Sequence, residues 1–114
     1  MDKILDNEGA LGAVLARLQM TIDARRGADP SSSYTAQLLA DPARAAKKFG
    51  EEAVETVIAA IQSDPQALAA ESADMLYHWL VLLAASGVSP NAVVEKLADR
   101  EGRSGLDEKA SRSQ

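Results

Sequence analysis

An all-α domain is what this sequence predicts, and three observations predict it. Apolar residues recur at three- and four-residue spacing, the period of a helix, and no strand signal interrupts them. Ala, Leu and Val supply the hydrophobic content, while aromatics are few: one Trp, one Phe and two Tyr. Three helix starts, Asp41-Pro42, Asp64-Pro65 and Ser89-Pro90, punctuate the chain, each with a side-chain oxygen at the N-cap and Pro at the first helical position.

The elements follow in order. Leu11, Val14, Leu15, Leu18 and Ile22 mark a first helix over about 9–26, closed by Arg25, Arg26 and Gly27. Residues 28–33 (ADPSSS) are a linker of turn residues. Ser33-Tyr34-Thr35 opens a short helical piece reaching Ala40. The second main helix runs from Pro42 to about Gln62, the third from Pro65 to about Ser86 with Gly87 ending it, and the fourth from Pro90 to about Glu101. The tail GRSGLDEKASRSQ is rich in Gly, Ser and charge and reads as loop or disorder by composition. Short connections favour antiparallel neighbours, so the 114 residues form a single antiparallel four-helix bundle-like domain with a core over about 9–101. The third helix is too apolar for one small domain to cover, and Leu76, Trp79, Leu80 and Leu83 are expected to meet a second copy in a homodimer.

Composition narrows the function. With no cysteine and one histidine, thiolate zinc sites and His-rich metal sites are excluded. A net charge of −5 argues against a general nucleic-acid binder. No signal peptide is read at the N-terminus, and the longest apolar run, Trp79 to Ala85, is too short to span a bilayer. The expectation is a cytoplasmic protein with neither nucleic acid nor membrane as partner.

Chemistry concentrates in KKFGEEAVE, residues 47–55. At about 100° per residue, Glu51, Glu52 and Glu55 gather within an arc of about 100°, with Lys47 and Lys48 beside them. Alone, this pattern also describes a solvated face with i,i+4 ion pairs, Lys47 to Glu51 and Lys48 to Glu52. The third helix alters the balance. Between Ala67 and Ala85 its polar residues are Glu71, Ser72, Asp74 and His78, in surroundings that are otherwise apolar apart from Tyr77 and Trp79. Two acids at i,i+3 on a helix expected to be buried need a cation. A lysine can supply part of that charge; one or two Mg²⁺ ions, or Mn²⁺ as the other hard cation, suit an all-carboxylate set facing the second helix. His78, one turn past Asp74, is read first as a packed or hydrogen-bonded residue.

These residues resemble a known set. Glu51-Glu52-x-x-Glu55 followed by Glu71-x-x-Asp74 is similar to the metal motif of the MazG-like all-α nucleotide pyrophosphohydrolases. Together with Ser33-Tyr34-Thr35, Lys47-Lys48-x-Gly50, Tyr77-His78 and the tail block from Ser104 to Arg112, the chain resembles the phosphoribosyl-ATP pyrophosphohydrolases of histidine biosynthesis from about Leu11 to Arg112. The resemblance implies Mg²⁺-dependent hydrolysis of a nucleotide substrate between its α and β phosphates. It implies Glu51, Glu52, Glu55, Glu71 and Asp74 as metal ligands; by charge, a carboxylate not fully used as a ligand, Glu52 or Glu55, is expected to orient or deprotonate the water. Lys47 and Lys48 match the family's basic pair and are expected, with Tyr34, to meet the substrate; Arg103, Ser104, Lys109 and Arg112 match a family block whose glycines and cations would let backbone N–H groups and side chains approach a phosphate. The fused cyclohydrolase of some relatives would need cysteine ligands that this chain lacks. Two rival readings remain: a house-cleaning pyrophosphohydrolase acting on dCTP, dUTP or non-canonical nucleotides, and a non-enzymatic helical dimerisation module.

Overall fold

The computed structural model describes residues 9–102 together with Gly105 and Arg112, and among the described residues every regular element is a helix. In chain order these are α1 (Ala10–Ala24), α2 (Tyr34–Leu39), α3 (Pro42–Ile61), α4 (Pro65–Ala85) and α5 (Pro90–Ala98). The expected starts are realised by side-chain caps. Asp41 accepts from the Arg44 backbone N–H at 3.1 Å, Asp64 from that of Ala67 at 3.0 Å and Ser89 from that of Asn91 at 3.1 Å. Ser33 does the same for α2, accepting from Ala36 N–H. The ends of α1 and α5 fall two and three residues short of their expected positions, at Ala24 and Ala98.

The long helices α3 and α4 form the central hairpin, α2 packs on both, and α1 lies on α4. The hairpin turn is tight. Ser63 N–H reaches Ala60 O at 3.1 Å and Asp64 N–H reaches Ala59 O at 3.3 Å, the paired bonds of a Schellman close, with Ser63 at φ 57°. Residues equidistant from Ser63 therefore face each other, which sets Glu55 against Glu71 and Glu52 against Asp74. The core lies at the open end of the hairpin, where Ile22, Leu38, Ala45, Leu80 and Val81 are buried together.

Two expectations are corrected here. Leu80, read as a residue of a subunit interface, is 3% exposed and belongs to the core of its own chain, because α1 and α2 both cross α4 at its level. Nor is α4 buried along its length: Glu71 is half-buried and Asp74 exposed, since an apolar wheel does not itself supply an element to cover it. The α-carbon radius of gyration is 16.3 Å, against about 13 Å for a compact chain of this size, and α5 buries no residue.

Candidate active site: a carboxylate layer on the α3–α4 hairpin

The mirror register about Ser63 brings Glu52 and Glu55 of α3 against Glu71 and Asp74 of α4. Glu52, Glu55 and Glu71 each offer an oxygen within 4.8 Å of the other two. Glu55 is the centre, with its carboxylate in hydrogen-bond reach of both Glu52 and Glu71. Two ionised carboxylates cannot bond one another, because neither has a proton to donate. A held proton or a cation would relieve that crowding.

The titration directions record the same tension. Glu52 is pushed up from the ordinary glutamate range, first by burial, then by contact with Glu55 and by the charges of Glu55 and Asp74. Glu71 is pushed up first by its contact with Glu55, then by burial and by the neighbouring acids. One oxygen of Glu52, Oε2, is sealed from solvent without any hydrogen-bond partner. A shallow groove of about 210 Å³ runs beside the layer, lined by Glu55, Ile58, Ala59, Gln62, Ala67 and Glu71.

Glu51 is not gathered with the others. It is exposed and bound to Lys48, with Nζ to Oε1 at 3.0 Å, an i,i+3 pair in place of the i,i+4 pairs a helical wheel suggests. Lys48 holds Glu51 below the ordinary range by hydrogen bond and charge, and is itself held up by Glu51. Lys47 is exposed and shares an open face with Gly50, Glu51, Val54 and Glu55. Arg103, Ser104 and Lys109 lie outside the described residues; Arg112 is exposed, and no described contact joins it to the layer.

One turn past Asp74, His78 is 8% exposed and bonds the Asp74 carbonyl through Nδ1 at 2.9 Å. A carbonyl only accepts, so Nδ1 carries a proton in this bond, while Nε2 is sealed and without a partner among the described residues. Tyr34 and Tyr77 pack edge-on to His78 at 6.3 and 4.9 Å. Thr35 and Tyr77 join their hydroxyls across the α2–α4 contact. The Ser33-Tyr34-Thr35 block thus caps α2, flanks His78 and ties α2 to α4. Sequence reasoning missed Arg44, whose guanidinium sits 5.9 Å from the Tyr34 ring centre and bonds Gln37 at 3.3 Å. Its spacing of four from Lys48 was the available signal. A separate cavity of about 350 Å³ lies at the opposite end, between α1, α4 and the start of α5; its one carboxylate, Asp23, is paired with Arg26 at 3.6 Å.

Residues 15–101 match the family described as Phosphoribosyl-ATP pyrophosphohydrolase. The chain belongs to the phosphoribosyl-ATP pyrophosphohydrolase family. It is accordingly an enzyme of the hydrolase class. Among its relatives, the phosphoribosyl-ATP pyrophosphatase of Caulobacter sp. (strain K31) is 71% identical over 99 residues, covering 87% of this chain and 92% of the relative. The proteins of the same name from Azospirillum brasilense and Parvibaculum lavamentivorans are 58% and 59% identical over 101 residues, covering 88% of this chain and 91% and 93% of theirs. The matched span of the family takes in the whole α3–α4 hairpin and with it every member of the carboxylate layer.

Proposed function

We propose that the enzyme hydrolyses phosphoribosyl-ATP between its α and β phosphates, yielding phosphoribosyl-AMP and pyrophosphate, the second step of histidine biosynthesis in the cytoplasm. The observation that carries the proposal is the carboxylate layer, three glutamates with oxygens within 4.8 Å of one another on a hairpin belonging to this family. Glu52, Glu55, Glu71 and Asp74 are proposed to hold Mg²⁺, or Mn²⁺ as the other hard ion. The orphaned Glu52 Oε2 and the proximity of like charges fit an all-oxygen cation site. Glu51, engaged by Lys48, is left out of that set. The bound cation would reverse the sign of the layer toward an anionic triphosphate and stabilise charge on the leaving group.

The residues then divide the work. Glu55, in reach of both neighbours, orders the layer. Glu52, whose carboxyl is the one raised chiefly by burial, orients a water and takes its proton. The water oxygen bonds to the α phosphorus, the bond from that phosphorus to the α–β bridging oxygen breaks, and pyrophosphate leaves with the electron pair. Lys47 and Lys48 stand one turn from the layer, where phosphate oxygens would pass.

The described surface supports a homodimer as well. Val54, Val57, Ile58 and Ile61 line α3 toward the turn at 58, 57, 47 and 77% exposure, a run of apolar side chains that one chain leaves open. A second copy covering this face is proposed, and light scattering should return the mass of two chains. Among the described residues no single helix is long and apolar enough to cross a membrane.

The test of the function measures pyrophosphate release from phosphoribosyl-ATP and a panel of nucleoside triphosphates, with and without Mg²⁺. Mg²⁺-dependent release from phosphoribosyl-ATP above all others is expected. Preference for dCTP or dUTP would replace this substrate with a house-cleaning one, and no release from any substrate would remove the catalytic reading.

A further inference from the structure

We propose that Arg44, held in place by Tyr34 and Gln37, binds the phosphate at the end of the substrate remote from the bond that is cleaved. The inference rests on the phosphoribosyl-ATP reading and names a specificity residue for it.

Arg44, Lys48, Glu51, Glu52 and Glu55 stand at i, i+4, i+7, i+8 and i+11 on α3, within an arc of about 100°. They form one polar stripe that changes sign along its length, with cations toward the N-terminus and carboxylates toward the turn. At 1.5 Å per residue, Arg44 lies about 12 Å along the axis from Glu52. A nucleoside triphosphate carries phosphate at one end only. Phosphoribosyl-ATP carries a triphosphate on one ribose and a single phosphate on a second ribose joined to the adenine. With the triphosphate at the carboxylate layer, its second phosphate needs a cation at a distance, and the stripe offers one.

The state of Arg44 fits that task better than that of Lys48. Lys48 already has a carboxylate at 3.0 Å. Arg44 has none within ion-pair distance among the described residues; Asp41, the acid at its own helix start, caps the Arg44 backbone N–H at 3.1 Å. The contacts that position its side chain are neutral: the Gln37 amide oxygen at 3.3 Å and the Tyr34 ring at 5.9 Å. These use one N–H and one face of the guanidinium. The remaining donors keep the planar fork that matches phosphate oxygens. Holding an exposed, rotamer-rich side chain costs entropy, and doing so with neutral partners leaves its charge undischarged. Tyr34 also touches His78 edge-on, so the cation is tied through α2 to the layer's own neighbour on α4.

The experiment compares ligands with and without the remote phosphate. Arg44→Ala should raise KM for phosphoribosyl-ATP about tenfold, the loss of one charge-assisted contact, with kcat within about twofold. Competitive inhibition by phosphoribosyl-AMP, which keeps the remote phosphate, should weaken by the same factor, and inhibition by ATP, which lacks it, should not change. Arg44→Lys, with charge but no fork, should fall between. Equal weakening toward both inhibitors would overturn the assignment, because Arg44 would then serve the triphosphate end or the fold. Unchanged inhibition by both would overturn it too. A wild-type enzyme that does not cleave phosphoribosyl-ATP would overturn both this inference and the functional reading beneath it, whereas a cleaving enzyme indifferent to Arg44→Ala removes the inference alone.

Discussion

The two halves of the α3–α4 hairpin are built by opposite rules. At the open end, Ala45 of α3 and Leu80 and Val81 of α4 are buried with Ile22 and Leu38, and the helices crossing there leave no acid in the packing. Toward the turn, the same two helices show solvent a row of Val and Ile on α3 and gather four acids on their facing sides. One half is complete within the chain. Among the described residues, the other has no cover for its apolar face and crowds its carboxylates together. The difference teaches where binding is to be sought: local rules of packing and charge are broken where a partner or ligand restores them.

The largest expected effects break this contrast at the acids. Glu52→Gln and Asp74→Asn should each lower Mg²⁺-dependent pyrophosphate release by at least about 10²-fold, the scale of removing a proton acceptor or an electrostatic contact from a transition state. Circular dichroism should show unchanged helicity, since neither side chain belongs to the core. Near-normal turnover in either variant would sink the assignment.

A comparison of Leu80→Ala with Ile61→Asp comes next. Leu80 is in the closed half, and its truncation should cost about 2–5 kcal/mol in denaturant unfolding. Ile61, 77% exposed, should leave each chain's fold intact while Asp at that position separates the two copies, read as a halved mass by light scattering. If Ile61→Asp keeps the mass of two chains, the open half is not the subunit contact.

Much of this contrast was legible in the sequence. The Asp-Pro and Ser-Pro starts fixed the helices because capping is local chemistry, satisfied within three residues. The facing of Glu52 and Glu55 with Glu71 and Asp74 followed from equal spacings on either side of a three-residue connection. Burial was less legible. The apolar wheel of α4 promised a buried Glu71 and Asp74, but periodicity reports how apolar a face is, not whether another element covers it. The same limit misplaced Leu80. Glu51 was hidden by a rotamer choice, as Lys48 takes it at i+3. The Arg44–Tyr34–Gln37 group joins α2 to α3 by side-chain contacts that no spacing rule within one helix encodes.

Metal and pH together give the next, smaller effect. Glu52 and Glu71 both have folded values raised above the ordinary 4.5. A raised carboxyl leaves the folded state at its full stability below about 4.5 and weakens it as pH climbs through the raised value. Metal-free protein should therefore lose thermal stability as pH rises above about 4.5, by a small amount for such solvated groups. Glu51, lowered by Lys48, works in the opposite sense, stabilising above 4.5, but its exposure keeps the contribution small. Millimolar Mg²⁺ should raise the melting temperature more at pH 7.5 than at pH 5. Glu52→Gln should flatten the metal-free profile and shrink the Mg²⁺ shift. Equal Mg²⁺ shifts at both pH values would mean that the cation binds elsewhere.

The smallest effect concerns the turns that close the two helices of the hairpin. Both α3 and α4 end with the same pair of bonds: Ser63 to Ala60 and Asp64 to Ala59 in one, Gly87 to Ala84 and Val88 to Leu83 in the other. Both place the first residue past the cap at positive φ, 57° at Ser63 and 72° at Gly87. Glycine takes that conformation freely, while serine pays for its Cβ. A Cβ built on Gly87 would meet nothing within 4 Å, so the difference between the two sites is conformational and not steric crowding. Ser63→Gly should then stabilise by about 0.5–1 kcal/mol and Gly87→Ser should cost about as much, both measured by denaturant midpoint. The two variants also separate stability from register. Because the turn at Ser63 sets which acids face each other, Ser63→Gly should raise stability while leaving turnover unchanged if the left-handed geometry is kept. A gain in stability with a loss of turnover would show that the serine, and not merely its backbone, positions the carboxylate layer.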